Sequence, residues 1–183
     1  MSEELVVKHC SPTLAGLKTA NMFACPYVSE TELKDSVRKL NKSLSCKGLR
    51  VLTLRCSNQK ALIYIYRPKK LENDLNNYSA LEKLQNIGYC CDKPEKCIWQ
   101  LSEKLKESND FPHEIGFFLG YPPEDVLGFM ENRAENHKCV GCWKVYGDEK
   151  QAKKTFAKYK KCTSDYYNQW QNGKSIERLT VTV

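Results

Sequence analysis

Apolar residues recur at helical spacing in six segments of the chain, and capping or terminating residues bound each segment. The clearest segment begins at Ser29, where Glu32 completes a capping-box pattern and Gly48 follows the last apolar position. Its apolar face comprises Leu33, Val37, Leu40 and Leu44. The other five helices are predicted to begin at Ser11, Leu71, Asp92, Pro122 and Asp148.

Five shorter segments, rich in β-branched and aromatic residues or continuously apolar, predict strands. Leu49 to Arg55 and Ala61 to Tyr66 flank a polar turn at 57–60, so we expect them to form a hairpin. The remaining strands are predicted at 115–119, 140–146 and 179–183. About six helices and about five strands in mixed order indicate an α+β fold, with a mixed or mostly antiparallel sheet packed against helices.

The chain has 183 residues, a length that fits a single domain spanning 1–183. Its hydrophobic content of 41% is sufficient for a core and argues against disorder. The acidic start and the early Lys8 do not resemble a secretory signal. No segment reaches the roughly 20 apolar residues of a spanning helix. We therefore expect a cytoplasmic protein without membrane insertion.

The formal net charge is +7, and lysines cluster at 69–70, 153–154 and 158–161. Such clusters are either solvated helix faces or a surface that attracts an anionic partner. The sequence contains no aromatic-basic RNA motif and no zinc-finger spacing, so nucleic acid is not the expected partner. A basic interaction module stays an alternative function. The sequence does not indicate the oligomeric state.

Cys10 is the cysteine that most favours reactive thiol chemistry. The first helix is predicted to open at Ser11–Pro12 and to run through Phe23, which places Cys10 at the helix mouth. Unpaired amides and the helix dipole favour an anion there, and a thiolate is an anion. The alternative is a cysteine that packs beside the first turn.

A thiolate nucleophile needs a base within hydrogen-bond reach and a group that orients the base. Of the three histidines, His113 is the candidate base, because it opens the predicted strand at 115–119. Glu114, Asp125 or Asp148 could orient it, and the sequence does not choose among them, although Asp148 is also explained as a helix cap. We predict Cys10, His113, Glu114 and Asp148 as the catalytic set.

A substrate for this site is expected to be a small anionic molecule. Arg67 and Lys69 follow a predicted strand and could place cations at a pocket rim, with Arg67 suited to bidentate contact. The alternative is a solvated exit from the strand. Tyr121 could line a pocket or merely end a strand. Together with Lys18, these residues form the predicted substrate-binding set.

Metal ligation is the rival use of the ten cysteines, which we expect to be reduced. Cys139 and Cys142 have the Cys-x-x-Cys spacing that can chelate zinc or iron, but a closed site needs two more ligands. The other cysteines could supply them only through tertiary folding. No metal residue is therefore assigned and the cofactor stays open, with an iron, haem or metal-binding protein as an alternative function.

The order of these candidates resembles papain-like thiol enzymes, in which a cysteine begins an N-terminal helix and a histidine opens a later strand. The segment from Cys10 to Ala15 is similar to the Cys-Gly-Pro-x-x-Leu-Ala start of some bacterial members, with Ser11 in place of glycine. That resemblance implies a hydrolase or transferase. No glutamine for an oxyanion hole precedes Cys10 at a suitable spacing.

A longer series of motifs resembles an uncharacterised domain family of anaerobic bacteria. The motifs are HCSPTLAGLK at 9–18, RPKKL at 67–71, FPHEIG at 111–116, LGYP at 119–122 and KVYGD at 144–148. This resemblance covers nearly the whole chain and implies no established activity. It carries an association with iron or haem acquisition. The family pattern includes Cys10 and His113 but does not require Cys142, which argues against a shared Cys-x-x-Cys metal site.

Overall fold

The computed structural model describes residues 1–107, 110–133 and 135–182. Across these residues the chain forms helices and two small antiparallel sheets, which confirms the predicted α+β class. The chain divides into two compact units: unit 1 comprises Met1–Lys69 and Lys161–Val183, and unit 2 comprises Lys70–Lys160. A single domain over 1–183 stays a prediction.

The elements follow one another along the chain in mixed order. The helices are α1 (Glu3–Leu14), α2 (Glu30–Leu44), α3 (Pro68–Leu75), α4 (Tyr78–Asn86), α5 (Pro94–Glu107), α6 (Ile115–Phe118), α7 (Pro123–Glu131), α8 (Glu149–Gln171) and α9 (Ile176–Leu179). The strands are β1 (Ala20–Pro26), β2 (Arg50–Ser57), β3 (Lys60–Tyr66), β4 (Cys139–Val140) and β5 (Lys144–Val145), and a 3₁₀ turn spans Ser45–Lys47. The boundaries between the units fall inside α3 and α8.

Unit 1 is built on a three-stranded antiparallel sheet in the order β1-β3-β2. Asn58 and Gln59 adopt left-handed conformations with φ of 50° and 56°, which suits the two-residue turn between β2 and β3. The predicted hairpin is therefore confirmed. Every residue of β3 from Ala61 to Tyr66 is buried, as expected for a central strand that is covered on both faces.

Helix α2 forms as its sequence pattern predicts. The Ser29 hydroxyl accepts a hydrogen bond from the Glu32 amide at 3.2 Å, which caps the first turn. The 3₁₀ turn after the helix ends at Gly48, whose φ of 78° lies in the left-handed region that favours glycine. The buried face of α2 packs against β2 and contributes Leu33, Leu40 and Leu44 to the core of unit 1.

The first predicted helix is displaced in the structure. Helix α1 begins at Glu3, capped by Ser2, so Pro12 lies in its last turn rather than its first. Residues Ala20–Pro26 are strand β1, not helix, and β1 pairs with the edge of β3. The Ser-Pro pair is a good helix start in isolation. Here a proline near the end of α1 removes only one backbone hydrogen bond, which the packing of the buried helix can offset.

Three predicted strands are wrong for a shared reason, namely that a short apolar run has no distinctive period. Residues Ile115–Phe118 form the short helix α6, and 140–146 contains the β4–β5 hairpin instead of one strand. At the carboxyl end, Leu179 completes α9 and residues 180–182 are not strand. Val183, the last residue of that predicted strand, lies outside the described residues.

Arg67 is buried, with only 2% of its surface exposed, and its hydrogen bonds cross-link separate backbone segments of unit 1. Its guanidinium donates to the carbonyls of Thr13 at 2.8 Å, Leu14 at 2.9 Å, Lys47 at 3.1 Å and Val181 at 2.9 Å. Thr13 and Leu14 end α1, where carbonyls lack helical partners. The prediction that Arg67 lies at a pocket rim is therefore wrong, because its donors are used inside the fold.

We expect Arg67→Lys to destabilise the protein, because an ammonium cannot reproduce the planar fork that reaches four carbonyls. The loss should be about 3 kcal/mol in the free energy of unfolding, measured by urea denaturation followed by circular dichroism. The control is Arg38→Lys, which changes an exposed residue and should cost less than about 0.5 kcal/mol. Equal stability of the two variants would contradict the cross-linking role of Arg67.

Candidate functional site

A cavity of about 270 Å³ lies within unit 2. Helices α6 and α7, the tyrosine that connects them and the β4–β5 hairpin supply its walls. Its apolar and aromatic lining comprises Ile115, Gly116, Tyr121, Val126, Phe129, Val140 and Trp143. His113, Asp125 and Lys144 are the polar lining residues. A largely apolar pocket with a few polar groups has the composition typical of a small-molecule site.

Asp125 fixes the geometry of this cavity. Its side chain is 3% exposed and accepts three hydrogen bonds: from Trp143 Nε1 at 2.6 Å, and from the amides of Tyr146 and Gly147 at 2.7 Å each. Asp125 lies in the first turn of α7, where the helix dipole favours a negative charge. The carboxylate therefore ties the hairpin to the amino-terminal end of α7.

Trp143 is held in an aromatic stack that forms one wall of the cavity. Its ring stacks on Tyr121 with centroids 4.9 Å apart and meets Phe156 edge-on at 4.6 Å. The Tyr121 hydroxyl donates to the Cys142 carbonyl at 3.2 Å, which adds a second tie between the hairpin and the rest of unit 2. Burial raises the pKa of Tyr121 to about 12, so this hydroxyl stays protonated near neutral pH.

Two glycines allow the aromatic rings to approach this closely. A Cβ on Gly116 would lie 2.7 Å from Val126 Cγ2 and 3.2 Å from Tyr121 Cδ2. A Cβ on Gly141, in the hairpin turn, would lie 2.2 Å from Phe156 Cδ2. These separations are far below van der Waals contact, so the wall can form only where the backbone carries no side chain.

The cationic side of the cavity is organised around Phe129. The ring of His113 meets Phe129 edge-on with centroids 5.1 Å apart, and Lys144 Nζ lies 5.9 Å from the centroid of the same ring. Lys144 and Val140 are cross-strand partners in the β4–β5 hairpin, and both line the cavity. A lysine and a histidine side chain therefore lie beside an otherwise apolar wall.

Glu114 belongs to a separate buried network beside this cavity. Its carboxylate accepts a hydrogen bond from the Tyr89 hydroxyl at 3.0 Å and pairs with Lys104 Nζ at 2.9 Å. Lys104 Nζ also lies 4.2 Å from the centroid of the Tyr89 ring. Burial and the charge of Glu114 both raise the pKa of Tyr89. Because this network holds the carboxylate, the predicted orienting role of Glu114 toward His113 stays a prediction.

The family model described as "Protein of unknown function (DUF3793)" matches residues 6–180. The chain belongs to this family. The match confirms the resemblance to an uncharacterised domain family that the sequence motifs indicated. No curated protein and no solved structure matches the chain. The geometry of the DUF3793 domain itself therefore carries the functional argument.

Cys10 of the DUF3793 domain does not lie at a helix mouth. It lies inside α1 with no exposed surface, among the hydrophobic residues of the unit 1 core. Burial raises the pKa of its thiol, and the charge of Lys18 opposes only part of that effect. The premise of a stabilised thiolate is therefore wrong, because the unpaired amides of α1 are at Glu3 and the medium around Cys10 is apolar.

The remaining catalytic candidates are distributed through unit 2. His113 is exposed and lines the cavity, but it precedes the short helix α6 instead of opening a strand. Asp148 is exposed, and its carboxylate accepts from the Gln151 amide at 3.0 Å, which confirms the helix cap. Since Cys10 belongs to unit 1 and His113 to unit 2, their pairing stays a prediction.

Among the predicted substrate-binding residues, Tyr121 is the one that lines the cavity. Lys18 belongs to unit 1 and is 5% exposed, contrary to the accessibility that binding would need. Lys69 belongs to unit 1 as well and is exposed on α3. The structure thus places His113, Tyr121 and Asp125 around one cavity. Asp125 is one of the three acids that the sequence offered as a partner able to orient His113.

Sequence reasoning missed Phe129, Trp143 and Lys144 as site residues. Glycine does precede aromatic residues in Gly120-Tyr121, Gly128-Phe129 and Gly141-Cys142-Trp143. That pattern is not a signal for the wall, because Gly128 and Gly141 pack against Tyr146 and Phe156 rather than against their sequence neighbours. Nor does a signal mark Lys144, which reaches the cavity through the register of the hairpin.

Clusters of metal-ligating side chains and helices able to span a membrane are both absent from the described part of the chain. Residues 1–107, 110–133 and 135–182 contain no group of three or more histidine, cysteine, aspartate or glutamate side chains that could hold a metal ion. Within the same ranges, no helix combines the length and the apolar character needed to cross a membrane. The iron or haem alternative stays a prediction.

The buried Cys10 thiol predicts that alkaline pH weakens the fold. Above its ordinary pKa of 9.0 the unfolded chain releases the Cys10 proton, whereas the folded chain retains it, so stability falls as pH rises. The contribution of Cys10 should be a loss of about 1.4 kcal/mol at about pH 10. Cys10→Ala should show a correspondingly smaller fall in the free energy of unfolding between about pH 7.5 and about pH 10, measured by urea denaturation under reducing conditions.

The matched control for that measurement is Cys46→Ala, since Cys46 is exposed. Its fall between the two pH values should equal that of the wild type. An identical pH dependence in the wild type and in Cys10→Ala would contradict the burial of the thiol.

Asp125→Asn should loosen the hairpin. The amide oxygen can still accept from the backbone, but the introduced NH₂ group faces the Trp143 N–H, so one hydrogen bond is lost and two donors oppose each other. We expect a loss of about 2 kcal/mol in the free energy of unfolding and a shifted Trp143 indole N–H resonance. The control, Glu124→Gln, changes an exposed neighbour and should alter neither quantity appreciably. Unchanged stability in Asp125→Asn would contradict the role given to the carboxylate.

Proposed function

We propose that the DUF3793 domain binds a small, flat, largely apolar molecule that carries an anionic group, and that the unit 2 cavity is the site. The observation that carries the proposal is the aromatic wall. Trp143, Tyr121 and Phe129 present rings that a planar ligand can contact, and Asp125 holds Trp143 in place before any ligand binds. A preformed apolar site avoids the cost of ordering its walls during binding.

The size of the cavity limits the ligand. Its volume of about 270 Å³ lies just below the range of about 300–1,000 Å³ typical of sites for drug-sized molecules. A ligand of one or two fused rings with one short substituent suits this space. Larger planar groups do not fit without movement of the walls.

The charged lining residues favour an anion over a cation. Lys144 carries a positive charge at the cavity, and His113 can donate a hydrogen bond from its ring. Asp125, the acidic lining residue, already accepts three hydrogen bonds, so its oxygens are engaged inside the fold. The small anionic molecule expected from the sequence is therefore retained in the proposal, with Lys144 and His113 in place of Arg67 and Lys69.

The proposed activity is binding, without thiol chemistry. Cys10 is buried in the core of unit 1, and burial raises its pKa. A nucleophile needs both access and a substantial ionised fraction, and Cys10 has neither. His113 stays available as a proton donor or acceptor to a bound molecule.

The test uses three probes that share one ring system: 2-naphthoate, naphthalene-2-carboxamide and 2-(aminomethyl)naphthalene, which are anionic, neutral and cationic near neutral pH. Binding is followed through the indole N–H resonances of the ¹⁵N-labelled protein, which has three tryptophans. Trp143→Phe assigns the reporter signal. We expect 2-naphthoate to shift the Trp143 resonance at the lowest concentration, and the signals of Trp99 and Trp170 to stay in place.

Lys144→Gln separates the two parts of the proposal. It should weaken 2-naphthoate by roughly fivefold, about 1 kcal/mol for a partly exposed ion pair, and leave the carboxamide unchanged. Lys150→Gln is the matched control, because Lys150 is exposed on α8. Equal weakening of both probes would refute the anionic preference. Failure of all three probes to shift the Trp143 resonance would refute the site.

A further inference from the structure

The two thiols of the Cys-x-x-Cys motif occupy different positions in unit 2. In the β4–β5 hairpin, Cys139 is the cross-strand partner of Val145, whereas Cys142 lies in the exposed turn. Cys139 interacts electrostatically with Lys153, and Cys142 with Tyr159. Those two α8 residues are six positions apart, about 9 Å along the helix axis. The two thiols therefore have different surroundings along α8.

Cys91 and Cys97 instead form a pair that sequence spacing does not reveal. The two thiol groups interact with each other electrostatically. Cys97 Sγ also donates to the Cys90 carbonyl at 3.4 Å, and Cys91 Sγ donates to the Tyr89 carbonyl at 3.6 Å. Both sulfurs thus lie against consecutive carbonyls of one short segment, which leads from the α4 side of unit 2 into α5.

The two thiols differ in access. Cys97 is 1% exposed on the inner face of α5, whereas Cys91 is partly exposed in the turn before that helix. A reagent in solution can therefore reach Cys91 first, and Cys97 is placed to react with whatever forms there. This division into an accessible thiol and an adjacent resolving thiol is the arrangement that disulfide exchange requires.

We propose that Cys91 and Cys97 form a modification site that low-molecular-weight disulfides convert reversibly into an intramolecular disulfide. The inference does not depend on the ligand cavity. It assigns a joint role to two cysteines that the sequence presents only as members of a large set.

The reaction proceeds by two exchanges, here written with oxidised glutathione. The Cys91 thiolate attacks one glutathione sulfur, forming a mixed disulfide and releasing one glutathione thiolate. The Cys97 thiolate then attacks the Cys91 sulfur and releases the second glutathione. The protein loses two protons and two electrons, and oxidised glutathione is reduced to two glutathione molecules that take up those protons.

Burial makes the exchange slow near neutral pH. It raises the pKa of Cys91 and raises that of Cys97 to about 12, so only a small fraction of either thiol is ionised. The rate should therefore rise roughly tenfold for each unit of pH between about 7 and about 9, because the thiolate fraction rises in that proportion below the pKa.

The experiment equilibrates the reduced, full-length protein without oxygen in buffers of reduced and oxidised glutathione, then blocks free thiols by alkylation. Trypsin cleaves between Cys91 and Cys97 after Lys96, so the disulfide joins two peptides that separate on reduction. The joined peptides begin at Leu84 and Cys97. We expect the wild type to yield these joined peptides, and reduction of the digest to separate them.

Variants identify the bonded sulfurs. Cys91→Ser should abolish the joined species, whereas the matched control Cys90→Ser, at the exposed neighbouring cysteine, should retain it. The proposal is overturned if the joined peptides are absent from the wild type, or if they persist undiminished in Cys91→Ser. Circular dichroism of each variant, compared with the wild type, establishes that folding is not the cause of a loss.

Discussion

The candidate site depends on one buried carboxylate. Strands β4 and β5 contain two residues each, and so short a ladder does not hold a hairpin in place by itself. Asp125 holds the hairpin in place, because its carboxylate accepts hydrogen bonds from the backbone amides of Tyr146 and Gly147 and from the Trp143 indole. The ring that forms the cavity wall and the strand that brings Lys144 to the cavity are consequently positioned by the same three hydrogen bonds.

Unit 1 uses a buried charge of the opposite sign for a related purpose. The Arg67 guanidinium donates hydrogen bonds to carbonyls at the end of α1, in the 3₁₀ turn and in the chain after α9. In both units the ion is satisfied by polar groups of the backbone or an indole, which offsets part of the cost of removing it from water. Arg67, which was predicted from the sequence as a binding group, therefore has a structural role instead.

The sequence predicted elements with strong, extended periodicity. Helices α2, α7 and α8 and the β2–β3 hairpin were found because caps, turns and apolar faces agreed within each segment. The sequence-based prediction failed where the assignment of an element depended on only a few residues. Pro12 is equally compatible with the start of a helix and with the last turn of a buried one, and the apolar run at Ile115 suits a strand or a helical turn. His113 and Tyr121 were predicted as site residues and line the cavity, whereas the position of Lys144 depends on hairpin register, which no local pattern encodes.

The glycines that border the aromatic wall place a constraint on how this family can diverge. At Gly116 and Gly141 even a single methyl group would overlap a neighbouring side chain by an ångström or more, so drift at these positions is blocked by volume. Related proteins should therefore conserve both glycines for as long as they keep side chains of the size of Val126 and Phe156 opposite them.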